Sequence, residues 1–176
     1  MKRIPVFFSI LFLSMVFFVA CHDDDDNDNP HALNSTDTEF MRKATQANLA
    51  EVSLGQLALT RAVDDSVRMY AQMMVEHHTM GLAGLDSLAD QYNLTLPTTM
   101  DSMHLAMQMQ LSMLSGSAFD SAYITSQIAD HNNSINLYQN EVNNGRNQNI
   151  RNYASRNLPL LYHHRDLAIE VKEQLP

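Results

Sequence analysis

The sequence predicts an all-α protein: a ferritin-like four-helix bundle with a long crossover that contains a short extra helix. Three observations carry that reading. Apolar residues recur at helical spacing along four long segments. Strand-like alternation never extends beyond a few residues. The stretch 94–117, between the second and third long segments, is long enough to run the length of a bundle at about 1.5 Å per helical residue. One long connection between the second and third helices is the ferritin-like arrangement, and an up–down array of five helices is the competing topology.

Residues 1–20 read as a signal peptide. Lys2 and Arg3 supply the positive start, Ile4 to Val19 is almost wholly apolar, and small Ala20 precedes Cys21. "FVAC" resembles the lipobox of bacterial lipoproteins, which implies lipidation of Cys21, a membrane as partner through that lipid, and an outer-membrane lipoprotein of the cell envelope. Cys21 is the only cysteine, so no intramolecular disulfide forms. "HDDDDNDNP" follows, and its five like charges repel one another too strongly to pack. Residues 21–36 are therefore an acidic tether, and its acidic run resembles the surface-export signal of Bacteroidota lipoproteins. Loss of Lys2 and Arg3 takes the net charge from −9 to −11, and no basic stripe appears, which argues against nucleic acid as a partner. Residues 37–176, about 140 residues, suffice for one domain with a sizeable core.

Within the domain, Asp37 is the expected cap of a first helix over about 38–61. Asp64 or Asp65 starts a second that runs to about Asn93, and Pro97 in "NLTLP" breaks the chain. A shorter helix is expected from about Thr98 to Leu114, ended by "SGS" at 115–117. A third long helix runs from about Ala118 to Asn143, where "NNGRN" turns the chain. The last runs from about Gln148 to Gln174, with Pro159 expected to kink or split it.

Each long helix carries one ionisable residue inside its apolar stripe. Glu51 lies among Phe40, Ala44, Ala47, Leu54 and Ala58; His78 among Met74, Leu82 and Leu85; His131 among Ile128 and Ile135; His164 among Leu161, Leu167 and Ala168. Counting at 1.5 Å per residue puts Glu51, His78 and His131 about 20 Å from the same end of the bundle, with His164 near that level. Three imidazoles and a carboxylate converging in a core make a candidate site for one transition metal ion (Zn, Cu or Fe). A closed hydrogen-bond network without metal is the alternative. Adjacent helical residues point about 100° apart, so His77, His163 and Asp130 face neighbouring grooves or the rim, as partners of the central residues or as surface groups.

"NLAEVSLGQLA", "YAQMMVEHHT", "FDSAYITSQIADH" and "NLPLLYHHRDLA" resemble the bacterial envelope family called domain of unknown function 4142, grouped with ferritin-like folds. The resemblance covers about residues 39–170; its motif positions match Glu51, His78, His131 and His164, with the FD pair at Phe119 and Asp120. It implies a fold and no established activity. Di-iron members of the ferritin-like class use Glu-x-x-His pairs, but the positions three before His78, His131 and His164 hold Val75, Ile128 and Leu161. This argues against a di-iron oxidase, and the remaining set suits one ion.

"MDSMHLAMQMQLSM" holds five methionines and a histidine. Met100, Met103 and Met107 are expected on one face, with His104 nearby, as a soft-metal set suited to Cu(I) or as flexible packing against the bundle. No nucleophile motif, phosphate loop or glycine fingerprint points to an enzyme. The functional readings are thus a lipid-anchored metal-binding bundle, a metal-free envelope interaction or stress-related module, or Cu(I) handling by the methionine helix. Protein partners are not legible.

Overall fold

A computed structural model describes residues 31–176; the expected signal peptide, Cys21 and the acidic run lie outside the described residues. The described chain forms five helices and no strand: α1 (Ser35–Arg61), α2 (Asp65–Tyr92), α3 (Ser102–Ser112), α4 (Gly116–Asn144) and α5 (Gln148–Gln174). Local chemistry sets most of these boundaries. Asn34 caps α1 in a reciprocal box, accepting from the Asp37 N–H at 2.8 Å while its own N–H donates to Asp37 Oδ2 at 2.6 Å. Asp37 is therefore inside the first turn of α1 and is not its cap, a correction of three residues. Asp64 caps α2, and Asn93 ends it in the left-handed region at φ 52°. Asp101 caps α3, which starts later than expected, after an irregular stretch over 94–101 that bends at Thr98 and Thr99.

Pro159 does not split α5, which runs unbroken from Gln148 to Gln174. Proline removes one N–H and disfavours the carbonyl four residues earlier. Both Pro159 and Ser155 lie on the exposed side of α5, where water can serve that carbonyl.

Two buried carboxylates set the topology. Asp37 Oδ1 accepts the N–H groups of Arg146 (3.0 Å) and Asn147 (3.1 Å), fixing the start of α1 to the α4–α5 turn. Asp120 accepts from Asp64 N at 2.9 Å and Val63 N at 3.2 Å, fixing the start of α4 to the α1–α2 turn. Hence α1 and α4 are antiparallel, α2 and α4 run the same way, and the connection holding α3 returns the chain from one end of the bundle to the other. This is the four-helix bundle with one long crossover that the sequence predicts.

The core lies in two apolar halves. One gathers Leu54, Val67, Met74, Phe119, Ile124 and Val171; the other gathers Phe40, Met41, Leu85, Ile135, Ile150 and Leu161. Burying side chains of this size stabilises the fold by roughly 1.5–3 kcal/mol each before entropy is counted. Between the halves runs a polar waist.

Candidate metal centre

Four helices supply the waist. His78 (α2), His131 (α4) and His164 (α5) are buried, with exposures of 6%, 1% and 0%, so each ring nitrogen must find a protein partner or a bound one. Among the described residues, these three form a group whose candidate ligand atoms all lie within 4.8 Å of one another.

The hydrogen bonds orient each ring. Asn48 Nδ2 donates to the Ala44 carbonyl at 2.7 Å, so its Oδ1 is left as an acceptor, and His78 Nδ1 lies 2.9 Å from it. The proton is thus on His78 Nδ1. His78 Nε2 has a bare lone pair and no partner in the protein. His131 Nδ1 lies 2.9 Å from the Gln127 carbonyl, which can only accept, so the proton is on Nδ1 and His131 Nε2 is left as an acceptor. His164 Nδ1 sits 3.2 Å from His131 Nε2, and His164 Nε2 sits 2.8 Å from His77 Nδ1. His78 and His131 are thus each held through Nδ1 and turn an acceptor Nε2 inward, the pattern of metal-binding histidines, while His164 is contacted through both nitrogens.

Protonation favours the same use. Burial depresses His78 well below the usual imidazole range, helped by the three histidines around it. His131 is lowered to about 4 by burial, against the pull of the Gln127 carbonyl. His164 is lowered to about 3 by burial and then by His131, His77 and His163. All three are neutral at physiological pH, the form that ligates.

Gly81 clears room for this arrangement. A Cβ there would come within 2.5 Å of Asn48 Oδ1, the atom that orients His78.

The structure brings together three of the four residues expected at the centre. Glu51 is buried beside them, but its Oε1 lies 3.9 Å from His131 Nδ1, the nitrogen already given to Gln127. Glu51 Oε2 has no protein partner and shares its layer with the unpartnered hydroxyls of Tyr70 and Tyr123. Burial, and then the Asp130 carboxylate, push Glu51 up to about 8. Glu51 lies in the layer beside the histidines, and its oxygens are not among the candidate ligand atoms that lie within 4.8 Å of one another.

The flanking residues separate. His77 stacks on His164, with centroids 5.1 Å apart and planes 10° apart, and is a partner of the centre. His163 is exposed. Asp130 is buried yet faces α3, with Oδ1 3.9 Å from His104 Nε2. In the methionine segment, Met100 precedes α3 and shares no helical face with the others. Met103 is 56% exposed, whereas Met107 packs against an apolar half of the core. Asn48 was not legible from apolar periodicity. The available signal was an asparagine in a helix interior, where it is intrinsically unfavourable without a specific partner.

The chain belongs to the family described as Domain of unknown function (DUF4142), which it matches over residues 24–171. Two solved structures share the fold. One is a candidate secreted DUF305 protein from Streptomyces coelicolor: TM-score 0.67, 14% identity, 78% of this chain and 91% of that one. The other is a DUF305 fragment from Deinococcus radiodurans: TM-score 0.73, 12% identity, 81% of this chain and 99% of that one. No curated protein matches the sequence.

Proposed function

We propose that this DUF4142 chain is a membrane-anchored, extracytoplasmic bundle that binds one transition metal ion through His78, His131 and His164. The observation that carries the reading is the set of inward nitrogens. Neutral imidazoles whose outer nitrogens contact Asn48, Gln127 and His77 bring one candidate ligand nitrogen each to within 4.8 Å of the others. The 3.2 Å gap between His131 Nε2 and His164 Nδ1 is close to the roughly 3.3 Å expected between two nitrogens bound at about 2.05 Å to a tetrahedral ion. Imidazole donors suit Zn(II), Cu(II) or Fe(II). A narrow crevice of about 10 Å³ between α2 and α5, lined by His77, Gly81, Tyr153 and Asn157, adjoins the centre and has room for about one water-sized ligand.

The location rests on the sequence. A positive start, an apolar run and Cys21 make up a lipoprotein signal, and one structural neighbour is itself described as a secreted protein. Changing Cys21 to Ser is expected to release the mature chain from membranes or leave it uncleaved; fractionation like that of the unaltered protein would refute the anchor.

A metal-free reading has one observation in its favour. His77, His164, His131 and the Gln127 carbonyl form a head-to-tail hydrogen-bonded chain that closes without an ion. It leaves His78 Nε2 unused. Thermal melts with Zn(II) or Co(II) separate the two. A resident site raises the melting temperature, by about 2.7 kcal/mol of stability at a hundredfold excess over Kd. Most of that rise is lost in His78→Ala, His131→Ala and His164→Ala. A melt unmoved by any of these metals would leave the hydrogen-bonded chain as the function of the waist.

A further inference from the structure

A second cluster of ligating side chains lies outside the waist. Between α1, α3 and α4 opens a cleft of about 670 Å³, lined among others by Gln46, Asp101, His104, Asp130 and Asn133. At its floor Asp130 is 6% exposed, and its Oδ2 has no protein partner. A carboxyl group this deep keeps its charge only beside a cation or strong donors. The two nearby cations do not serve it. Arg42 and Lys43 are both committed to Glu39, at 2.7 and 3.1 Å.

His104 faces Asp130 and is 8% exposed. Its position follows from the helix start. Asp101 caps α3, and Asp101 Oδ1 lies 3.0 Å from the His104 N–H and 2.9 Å from His104 Nδ1. The carboxylate acceptor places a ring proton on Nδ1 and leaves Nε2 facing Asp130 Oδ1 at 3.9 Å. That separation is too long for a hydrogen bond. It matches the span that a metal bridges, with metal–nitrogen and metal–oxygen bonds of about 2.0–2.2 Å each, once the side chains close by about half an ångström.

We propose that His104 and Asp130, oriented by Asp101, form a second divalent-cation site at the floor of this cleft. One imidazole and one carboxylate favour a borderline ion such as Zn(II). Ca(II) and Mg(II) prefer all-oxygen sets, and Cu(I) prefers softer donors. Two protein ligands leave the other positions to cleft water, so this ion exchanges readily, unlike one enclosed by three buried histidines. Asp130 and His131 are consecutive in α4, which sets the exposed site one residue from the buried one.

The test is equilibrium dialysis of the mature chain, without a histidine tag, against Zn(II), with metal counted by elemental analysis. The unaltered protein is expected to hold about two equivalents, one retained after gel filtration and one lost. His104→Ala and Asp130→Asn each hold about one, the retained one. His164→Ala keeps only the exchangeable one. Equal zinc in the unaltered protein and both cleft variants overturns the second site while leaving the buried centre intact. Loss of one equivalent in the cleft variants alone, with His164→Ala unchanged, supports the cleft site and refutes the buried centre. If His104→Ala melts near room temperature, Asp101→Asn decides. It keeps His104 in place and is expected to weaken the exchangeable site about 10–100-fold, and unchanged affinity overturns the proposal.

Discussion

Asp37 and Asp120 at the two ends of the bundle and the histidines of its middle are all buried, but the fold treats them in opposite ways. At one end the Asp37 carboxylate takes backbone N–H groups from Asn34, Arg146 and Asn147. At the other, the Asp120 carboxylate takes those of Val63 and Asp64. Each carboxylate is saturated by the turn it clasps, and its work is to pin a helix start to a neighbouring loop. In the middle, every histidine has one nitrogen held and one directed at its neighbours. Saturated polar groups stabilise a fold, whereas half-saturated ones that converge make a place for something else to bind.

That contrast is broken most severely at the ends. Asp37→Ala strands buried backbone donors on α1 and at the α4–α5 turn, and is expected to cost about 3 kcal/mol or more in urea unfolding. Zn(II) affinity of the folded fraction should be unchanged. Gly145→Ala probes the same end. A Cβ there would meet Glu141 Oε1 at 2.1 Å and the Glu141 carbonyl at 2.7 Å, so a loss of roughly 1–3 kcal/mol is expected from overpacking. A neutral outcome at either position would mean that the ends are looser than the hydrogen bonds imply.

The middle responds in binding. Asn48→Ala and His77→Ala remove the partners of His78 and His164, and each is expected to weaken metal binding about 10–100-fold in a competition titration. This assigns His77 a larger effect than its position in the helical pattern suggests. His163, exposed and adjacent, should change stability by less than about 0.5 kcal/mol and leave affinity alone. Equal behaviour of His77→Ala and His163→Ala would remove the distinction between the paired histidines.

Acidity separates the regions as well. His131 and His164 titrate near 4 and 3 in the folded chain against an ordinary 6.5, so they contribute stability above 6.5 that is lost as pH falls toward those values. Glu51 and Glu141 are each raised from an ordinary 4.5 to about 8, mainly by burial. Their contribution is fully present below 4.5 and is lost as pH rises through about 8. With His78 lowered as well, three histidines outweigh two glutamates below pH 6.5 and the glutamates act alone above it, so the metal-free protein is expected to melt highest near pH 6.5 and to decline toward pH 8. Glu141→Gln should flatten part of the alkaline decline. A melting temperature that climbs steadily to pH 8 would contradict the assignment.

Helical periodicity made the bundle legible, and it located the three histidines because each interrupts an apolar stripe. It could not rank Glu51. Stripes report which face is buried but not the direction of a side chain along the axis, and Glu51 reaches toward the Nδ1 side of His131. Asn48 was missed because its value lies in one hydrogen bond across to His78, a contact between helices that no single-helix pattern contains. Pro159 did not divide α5 because Ser155, whose carbonyl loses its partner there, lies on the exposed side of the helix.

Zinc-edge X-ray absorption on protein loaded with one equivalent tests the central claim most directly. The histidine centre predicts a first shell with three imidazole nitrogens at about 2.0–2.1 Å and their multiple-scattering signature, lost in His164→Ala. Sulfur scatterers at about 2.3 Å, or a shell of oxygens with at most one imidazole, would contradict it.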